Sequence, residues 1–285
     1  MKKARLMLII SMVVFGTIGL FVKNINLTSG EIALYRAALA SVLIGLFFLV
    51  SGKKLSVKEV KKELFLLLLS GAAMGFNWIF LFEAYNYTSV SVATLSYYFA
   101  PVIVTLVCPI LFREKMNMKK WICFTGSTLG IVLITGVGNL SENTEHIKGI
   151  ALGLSAAVLY ATVILINKYI KNVGGIERTF FQFIAAIVVL LPYVALTSGF
   201  NIASLDGVGW GYLLTVGLIH TGITYCLYFS SIKHIPGQKA AILSYIDPLV
   251  AVLCSAFILG ETMLPMQIAG GIMILGFTLY NEIAE

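Results

Sequence analysis

Long apolar stretches separated by short polar connections run through the whole chain. A helix needs about 17–25 predominantly apolar residues to span the hydrocarbon core of a bilayer, and ten stretches approach or reach this length. We therefore predict an all-α integral membrane protein with ten transmembrane helices. The predicted spans are Ala4–Val22, Ile32–Val50, Leu64–Phe82, Ser91–Leu111, Met118–Gly136, Ile147–Tyr169, Ile176–Thr197, Gly207–Ser230, Ala240–Leu259 and Pro265–Tyr280.

The second half of the chain repeats the first at an offset of about 147 residues. Ala93–Pro101 aligns with Ala240–Pro248, with alanine, tyrosine and proline in register, and Glu114 aligns with Glu261. Each half holds five predicted spans, and an odd number makes the second copy enter the bilayer from the opposite side. We predict two inverted five-helix repeats, residues 1–140 and 141–285. This arrangement is typical of secondary transporters that work by alternating access.

Composition and charge both agree with a membrane location. Apolar residues make up 59% of the chain, against about 45–50% in soluble domains. With the N-terminus inside, about seventeen basic residues fall in cytoplasmic segments, and only Lys23, Arg36 and Lys148 fall outside. This positive-inside bias predicts a multi-pass protein of the cytoplasmic membrane with both termini in the cytoplasm. The net charge of +7 thus reflects topology and contact with anionic lipid, and we predict no nucleic-acid partner.

The sequence predicts no cofactor and no metal site. Its four cysteines lie inside predicted spans without metal-ligand spacing, where a thiol behaves as a small apolar group. The phosphate-binding pattern Gly-x-x-x-x-Gly-Lys-Ser/Thr is absent from the sequence. Transport would therefore draw on a proton or ion gradient, or on exchange.

Two prolines related by the repeat lie about halfway along the fourth and ninth predicted spans. A proline inside a helix removes one backbone hydrogen bond, so Pro101 should free the carbonyl of Tyr97, and Pro248 that of Ser244. We predict a helix kink at each proline. In a membrane, freed carbonyls are tolerated only against protein or a wet cavity. The alternative is that the kinks serve packing alone.

Two ionisable residues are predicted at mid-membrane depth in the second half. Asp247 and His220 lie roughly 12–15 Å from the cytoplasmic ends of their spans, and the mirror positions hold Ala100 and Ala73. Because a charge in lipid is costly unless it is paired or used, both residues are candidates for proton coupling. For His220, a core histidine with satisfied hydrogen bonds is the alternative. We expect Arg36 to extend to the outer interface rather than to bind a carboxylate.

The repeat also pairs aromatic and polar residues on the first, third, fourth, sixth, eighth and ninth spans. Such a lining suits a small amphipathic or cationic molecule, although packing is the alternative for each aromatic side chain. Glu114 and Glu261 precede short turns, and we expect each to interact with the N-terminus of the helix that follows. The candidate substrate-binding residues are Phe15, Asn77, Trp78, Tyr98, Tyr160, Thr224, Tyr225, Tyr245 and Asp247.

Two similar stretches recur along the chain: Thr88–Ala93 followed by Pro101, Glu114 and Gly126, and Gly237–Ala240 followed by Pro248, Gly260-Glu261 and Gly270. With Arg36 near the outer end of the second predicted span, they make the chain resemble the drug/metabolite transporter superfamily, specifically its EamA-type branch. Phe15-Gly16 departs from the Trp-Gly that members often carry, and Arg113 stands before Glu114 where glycine is common.

The resemblance implies a carrier for a small metabolite, and we expect export of an amino acid or a related compound. Uptake of a small organic cation by the same fold is the alternative. We do not expect an enzyme: Ser155 and His220 superficially match a serine–histidine protease, but the Gly-x-Ser pattern is very weak. A non-transporting scaffold would be favoured if the mid-membrane polar residues faced lipid or filled a closed core.

Overall fold

The computed structural model describes residues 2–52, 55–112, 118–135, 144–232, 234–235 and 243–283. The regular elements in these ranges are all helical. The first half contains α1 (Lys2–Gly16), α2 (Ile18–Val22), α3 (Ser29–Ser51), α4 (Val57–Lys62), α5 (Leu64–Tyr87), α6 (Val90–Tyr97), α7 (Ala100–Phe112) and α8 (Met118–Thr135). The second half contains α9 (Thr144–Tyr169), α10 (Gly175–Thr197), the 3₁₀ turn Ile202–Ser204, α11 (Gly207–Leu214), the π-helical segment Thr215–Ile223, α12 (Thr224–Ile232), α13 (Ile246–Phe257) and α14 (Pro265–Ile283).

Seven helical stretches of the described chain are long and apolar enough to cross a membrane, which makes the protein a multi-pass helical membrane protein. Three other predicted spans coincide with α8, α13 and α14, which lie outside this set. Ten spans in two inverted halves therefore remain a prediction. The seven stretches are Lys2–Val22, Ser29–Ser51, Leu64–Tyr87, Val90–Cys108, Thr144–Tyr169, Gly175–Thr197 and Gly207–Ser231.

Three of these stretches contain a local break or a change of helix type. The first stretch is interrupted at Thr17, and the fourth is interrupted between α6 and α7. The last stretch, Gly207–Ser231, is π-helical over Thr215–Ile223. Single-turn π-helices occur mostly as insertions in α-helices, frequently at functional sites. The break in the fourth stretch falls at Tyr98 and Phe99, just before the predicted position at Pro101.

The prolines occupy the first turns of new helices. Pro101 is the second residue of α7, and Pro248 is the third residue of α13, which follows a turn at Tyr245. Backbone N–H groups in the first turn of a helix have no partner within the helix, so proline is tolerated there. Tyr98 and Tyr245, which are equivalent in the repeat, therefore both lie three residues before a proline, where the chain is not helical.

Glycine allows close helix contacts, which matter in lipid because helices gain little there from burying apolar surface. A methyl group on Gly130 of α8 would lie 2.7 Å from the carbonyl oxygen of Gly270 on α14. A methyl group on Gly16 of α1 would lie 2.5 Å from the carbonyl oxygen of Asp247 on α13. The second contact brings the break at Thr17 against the start of α13.

The carboxylate of Glu261 ties three segments together. It accepts a 2.8 Å hydrogen bond from the backbone N–H of Val90, the first residue of α6. It also pairs with Lys23 and accepts a hydrogen bond from Ser255 Oγ. Glu261 therefore interacts with the N-terminus of α6 and not, as expected, with the helix that follows it. Glu114, Arg113 and residues 237–240 of the sequence motifs lie outside the described residues, as does Gly136.

Candidate functional site

Three cavities meet around Asp247, the second residue of α13. The first, of about 130 Å³, extends to Arg36 and Trp78. The second, of about 320 Å³, extends to Arg178, and the third, of about 170 Å³, extends to Pro101 and Tyr245. Asp247, Tyr98 and Tyr160 line all three cavities. The predicted residues Phe15 and Tyr225 line the first two.

A hydrogen bond between the two halves of the chain lies at the centre of this site. The hydroxyl of Tyr98 donates to Oδ2 of Asp247 over 2.6 Å. Asp247 lies in the first turn of α13, where the helix dipole favours negative charge. Each partner of this bond therefore lies at a local helix break: Tyr98 directly follows α6, and Asp247 follows the turn at Tyr245.

Aromatic rings form the walls of the cavities. Tyr97 stacks on Tyr160 with ring centroids 5.1 Å apart, and Phe15 meets Tyr225 edge to face at 5.2 Å. Such pairs combine apolar burial with a preferred ring geometry. Tyr160 is 39% exposed although it lies inside the helix bundle, because its surface faces the cavities. A ligand beside Asp247 would therefore contact rings on several sides.

Arg36 lies inside the protein, which corrects the expectation that it extends to the outer interface. Arg36 is 3% exposed, and its Nε donates a 3.0 Å hydrogen bond to Thr221 Oγ1 in the π-helical segment. The guanidinium carbon is 4.3 Å from the centroid of the Trp78 ring and 5.2 Å from that of Phe82. Aromatic faces attract cations, so these two rings stabilise the guanidinium inside the protein. The position of Arg36 near the end of its predicted span did not indicate this.

His220 is placed beside the site rather than in it. It is 2% exposed, its Nε2 lies 2.9 Å from Thr17 Oγ1, and its Nδ1 lies 3.2 Å from the carbonyl oxygen of Thr215. It is absent from the linings of the three cavities. This environment matches a core histidine with satisfied hydrogen bonds. His220 connects the break in the first helix to the π-helical segment.

Two other predicted side chains hold the backbone instead of lining these cavities. Asn77 Nδ2 donates a 2.6 Å hydrogen bond to the carbonyl oxygen of Ala156, which joins α5 to α9. Thr224 Oγ1 donates a 2.7 Å hydrogen bond to the carbonyl oxygen of Ile219. Pro248, at which a helix kink was predicted, is buried at the start of α13. We regard Asn77, Thr224 and Pro248 as structural supports of the site.

Several lining residues were not predicted from the sequence. Tyr97, Tyr85 and Thr94 line the first cavity, and Arg178 and Gln182 line the second. Neighbouring Tyr97 and Tyr98 form a visible signal in the sequence, since a helix break lets consecutive residues face one space. Arg178 is one of the basic residues in the predicted cytoplasmic segments, and the sequence gives no signal that it approaches Asp247, because that depends on tertiary packing.

Polar contacts organise the far end of the second cavity. Arg178 Nη1 donates to the carbonyl oxygens of Asn167 and Ile170 at 3.3 and 3.4 Å, near the C-terminal end of α9. Gln182 Nε2 donates to Asn167 Oδ1 at 2.8 Å and to Ser70 Oγ at 2.7 Å. These bonds join α5, α9 and α10 and satisfy carbonyls that a helix end leaves free.

The described residues contain no group of three or more histidine, cysteine, aspartate or glutamate side chains placed to hold a metal ion. The serine–histidine pair considered above is not formed either. Ser155 Oγ donates to the carbonyl oxygen of Ala151 at 2.8 Å, and the ring nitrogens of His220 lie beside Thr17 and Thr215.

The sequence profile of the EamA-like transporter family matches this chain twice, over residues 2–136 and 147–281. An uncharacterized transporter of Bacillus subtilis (strain 168), YxxF, is 33% identical over 94% of this chain and 85% of its own length. An uncharacterized transporter of Archaeoglobus fulgidus is 27% identical over 98% of this chain and 96% of its own length. One crystal structure of a protein has a similar fold, with a TM-score of 0.68 at 14% identity over 99% of both chains.

Proposed function

This chain belongs to the EamA-like transporter family, and we propose that it is a secondary transporter that moves a small metabolite across the cytoplasmic membrane by alternating access. The observation that carries the proposal is the bond between Tyr98 and Asp247, which joins the two halves inside a set of cavities. The two separate matches to the family profile support two repeated units. An inverted arrangement would place this bond where the units rock against each other.

The charge bias of the connections supports cytoplasmic termini and ten spans. In this orientation α3 begins on the outer side, so Arg36 and the first cavity lie on the outer side of Asp247. α10 begins on the cytoplasmic side, so Arg178 and the second cavity lie on the inner side. Asp247 would then separate an outer space from an inner one, as alternating access requires of a central site.

An amino acid or a related compound is our first choice of substrate, with export as the direction. The carboxylate of Asp247 can bind an amine, and the rings of Tyr97, Tyr160 and Tyr225 can cover an apolar part. The second candidate is uptake of a small organic cation. Asp247 surrounded by tyrosine rings supports it as well, because aromatic faces attract cations.

Asp247 is also the stronger candidate for coupling to a proton. It lines cavities on both sides of the site, so one carboxylate could exchange a proton with water on either side in turn. His220 is the second candidate. The same position of Asp247 argues against a non-transporting scaffold, whose polar groups would face lipid or fill a closed core.

The proposal is tested by a search for a ligand followed by a flux measurement. Purified protein is screened by thermal shift against amino acids, amines, sugars and nucleosides, because a ligand stabilises the state that it binds. Each compound that raises the melting temperature is then tested in proteoliposomes. We expect saturable flux of at least one amino acid above that in empty liposomes. Stabilisation without flux of any compound would favour a scaffold or receptor.

A further inference from the structure

Arg36 is a buried cation for which the described residues supply no anion. It is 3% exposed and lies in the third turn of α3. The ion pairs within the described part of the chain are Lys23–Glu261 and Lys62–Glu59. An arginine keeps its charge in proteins and presents five N–H donors. A buried charge is costly unless it is paired or fully hydrogen-bonded.

The contacts of Arg36 compensate for only part of this cost. One donor, Nε, is bound to Thr221 Oγ1, and the guanidinium carbon lies over the rings of Trp78 and Phe82. The rings attract the positive charge, but the hydrogen bond to Thr221 uses only Nε, which leaves the N–H donors of the two Nη groups for other partners. Since Arg36 lines the first cavity, an anion bound there can reach these donors.

Asp247 does not serve as the partner of Arg36. Both residues line the first cavity, but the two form no ion pair, and Asp247 instead accepts the hydrogen bond from Tyr98. A negative and a positive side chain therefore contribute to the same cavity without neutralising each other. That arrangement is complementary to a molecule that carries both charges.

Arg178 differs from Arg36 in its contacts. It lines the second cavity, but its Nη1 donates to two backbone carbonyls near the end of α9. A cation in that place is explained by the helix end, whose carbonyls need donors. Arg36 lies in the interior of its helix, where the backbone carbonyls are already bonded, so this explanation does not extend to it.

We propose that Arg36 binds the carboxylate of a zwitterionic substrate whose amine is bound by Asp247. The inference rests on the proposed function and selects between its two substrate classes. A guanidinium group binds a carboxylate through two parallel hydrogen bonds, and Trp78 holds the guanidinium plane by stacking. The substrate would span from the π-helical segment, through Arg36 and Thr221, to the start of α13. A simple organic cation would leave Arg36 without an anion.

The test compares matched sets of three ligands on the purified full-length protein. Each set holds an amino acid, the amine that lacks its carboxylate and the acid that lacks its amine. One set is phenylalanine, phenethylamine and 3-phenylpropanoate; the other is leucine, isopentylamine and 4-methylpentanoate. Affinities are measured by calorimetry in lipid nanodiscs. In at least one set, we expect the wild type to bind the amino acid about 10- to 100-fold more tightly than either fragment.

The variant Arg36→Gln should remove this preference selectively. We expect it to lose about 10- to 100-fold in affinity for the amino acid and the acid, and to keep wild-type affinity for the amine. Lys148→Gln is the matched control, because Lys148 is also a cation over an aromatic ring, 3.7 Å from the Tyr87 centroid, but is not among the residues that line the three cavities. It should leave all affinities unchanged.

Two results would overturn the role of Arg36. One is a wild type that binds the amine as tightly as the amino acid, a comparison that needs no variant to fold. The other is an equal loss for all three ligands in Arg36→Gln, which is the result of a structural role. Arg36→Lys, which keeps the charge without the planar fork, should recover part of the preference. Binding and flux of amines alone would leave the transporter proposal intact, whereas the absence of any ligand would contradict both proposals.

Discussion

The hydroxyl of Tyr98 and the carboxylate of Asp247 form a 2.6 Å hydrogen bond although the two residues are 149 positions apart in the chain. Tyr98 follows the last residue of α6, and Asp247 lies in the first turn of α13. A helix break at each position leaves room for a cavity beside the bond. This contact between the two halves is therefore both a structural link and the centre of the candidate site.

Removal of the Tyr98 hydroxyl should weaken substrate binding without unfolding the protein. Tyr98→Phe keeps the ring that packs against Tyr97 but loses the donor to Asp247. We expect this hydroxyl to donate to the polar end of the bound substrate, and the loss of one such hydrogen bond is worth about 0.5–1.5 kcal/mol, which corresponds to a several-fold weaker affinity. Tyr245→Phe, in the equivalent position and lining the third cavity, should have a similar effect. The measurement is ligand affinity of each variant.

The control for these variants is Tyr212→Phe. The Tyr212 ring packs edge-on against Phe21 with centroids 5.7 Å apart, and it is not among the residues that line the three cavities. The affinity of Tyr212→Phe for the substrate should equal that of the wild type. The melting temperatures of all three variants should stay close together. Wild-type affinity in both Tyr98→Phe and Tyr245→Phe would identify these tyrosines as packing residues.

Gly16 should tolerate no side chain. A methyl group there would lie 2.5 Å from the carbonyl oxygen of Asp247 and 2.7 Å from Cβ of Val250. Overpacking of this kind costs about 1–3 kcal/mol, so Gly16→Ala should lower the melting temperature. Gly211→Ala is the control, since nothing lies within 4 Å of a methyl group at that helical position, and alanine favours a helix by about 0.5–1 kcal/mol over glycine. Equal melting temperatures would refute the close contact between α1 and α13.

The contacts of Glu261 should hold the outer side of the cavity closed. Glu261→Gln removes the ion pair with Lys23 and weakens the bonds to Val90 and Ser255. A weakening of about 1 kcal/mol shifts a two-state equilibrium several-fold. A cysteine at Thr94, which lines the first cavity, should therefore react several-fold faster with a membrane-impermeant maleimide applied from outside.

This labelling is measured in a variant that lacks the four native cysteines. Glu59→Gln is the control, because Glu59 pairs with its neighbour Lys62 on the same helix and is absent from the cavity linings. Its labelling rate should equal that of the parent. An unchanged rate in Glu261→Gln would show that these contacts do not limit opening.

A dependence of transport on a pH gradient should require Asp247 and not His220. Asp247 lines three cavities, whereas His220 is 2% exposed with a partner near each ring nitrogen. In proteoliposomes, Asp247→Asn should abolish the effect of the gradient and His220→Gln should keep it. The reverse result would move the coupling group to the π-helical segment. An unchanged response in both variants would exclude the two residues.

Apolar stretches predicted most of the fold because lipid demands a similar length from every span. The predicted span Leu64–Phe82 begins where α5 begins and ends five residues before it. The break at Thr17 and the π-helical segment carried no comparable signal. Neither contains proline, and both pack closely against distant parts of the chain: a methyl group on Gly16 would lie 2.5 Å from the carbonyl oxygen of Asp247, and one on Gly217 would lie 2.5 Å from Leu39 Cδ1. Contacts between residues far apart in the chain cannot be predicted from the local sequence.

The repeat register aligned Tyr98 with Tyr245 and placed Asp247 beside a proline in the second half, and the structure brings these three residues to the lining of one cavity. Depth along a span was a poorer guide. Arg36 was expected at the outer interface and lies in the cavity, because its position depends on Trp78 from another helix. Asn77, predicted to bind substrate, donates instead to the backbone carbonyl of Ala156.

The most direct test of a substrate site at Asp247 is counterflow in proteoliposomes. Vesicles are loaded with an unlabelled amino acid that binds the protein, and uptake of the labelled form is followed over time. We predict transient accumulation with the wild type and none above empty vesicles with Asp247→Asn of equal yield and melting temperature. Accumulation by Asp247→Asn with wild-type amplitude and half-saturation would contradict the account.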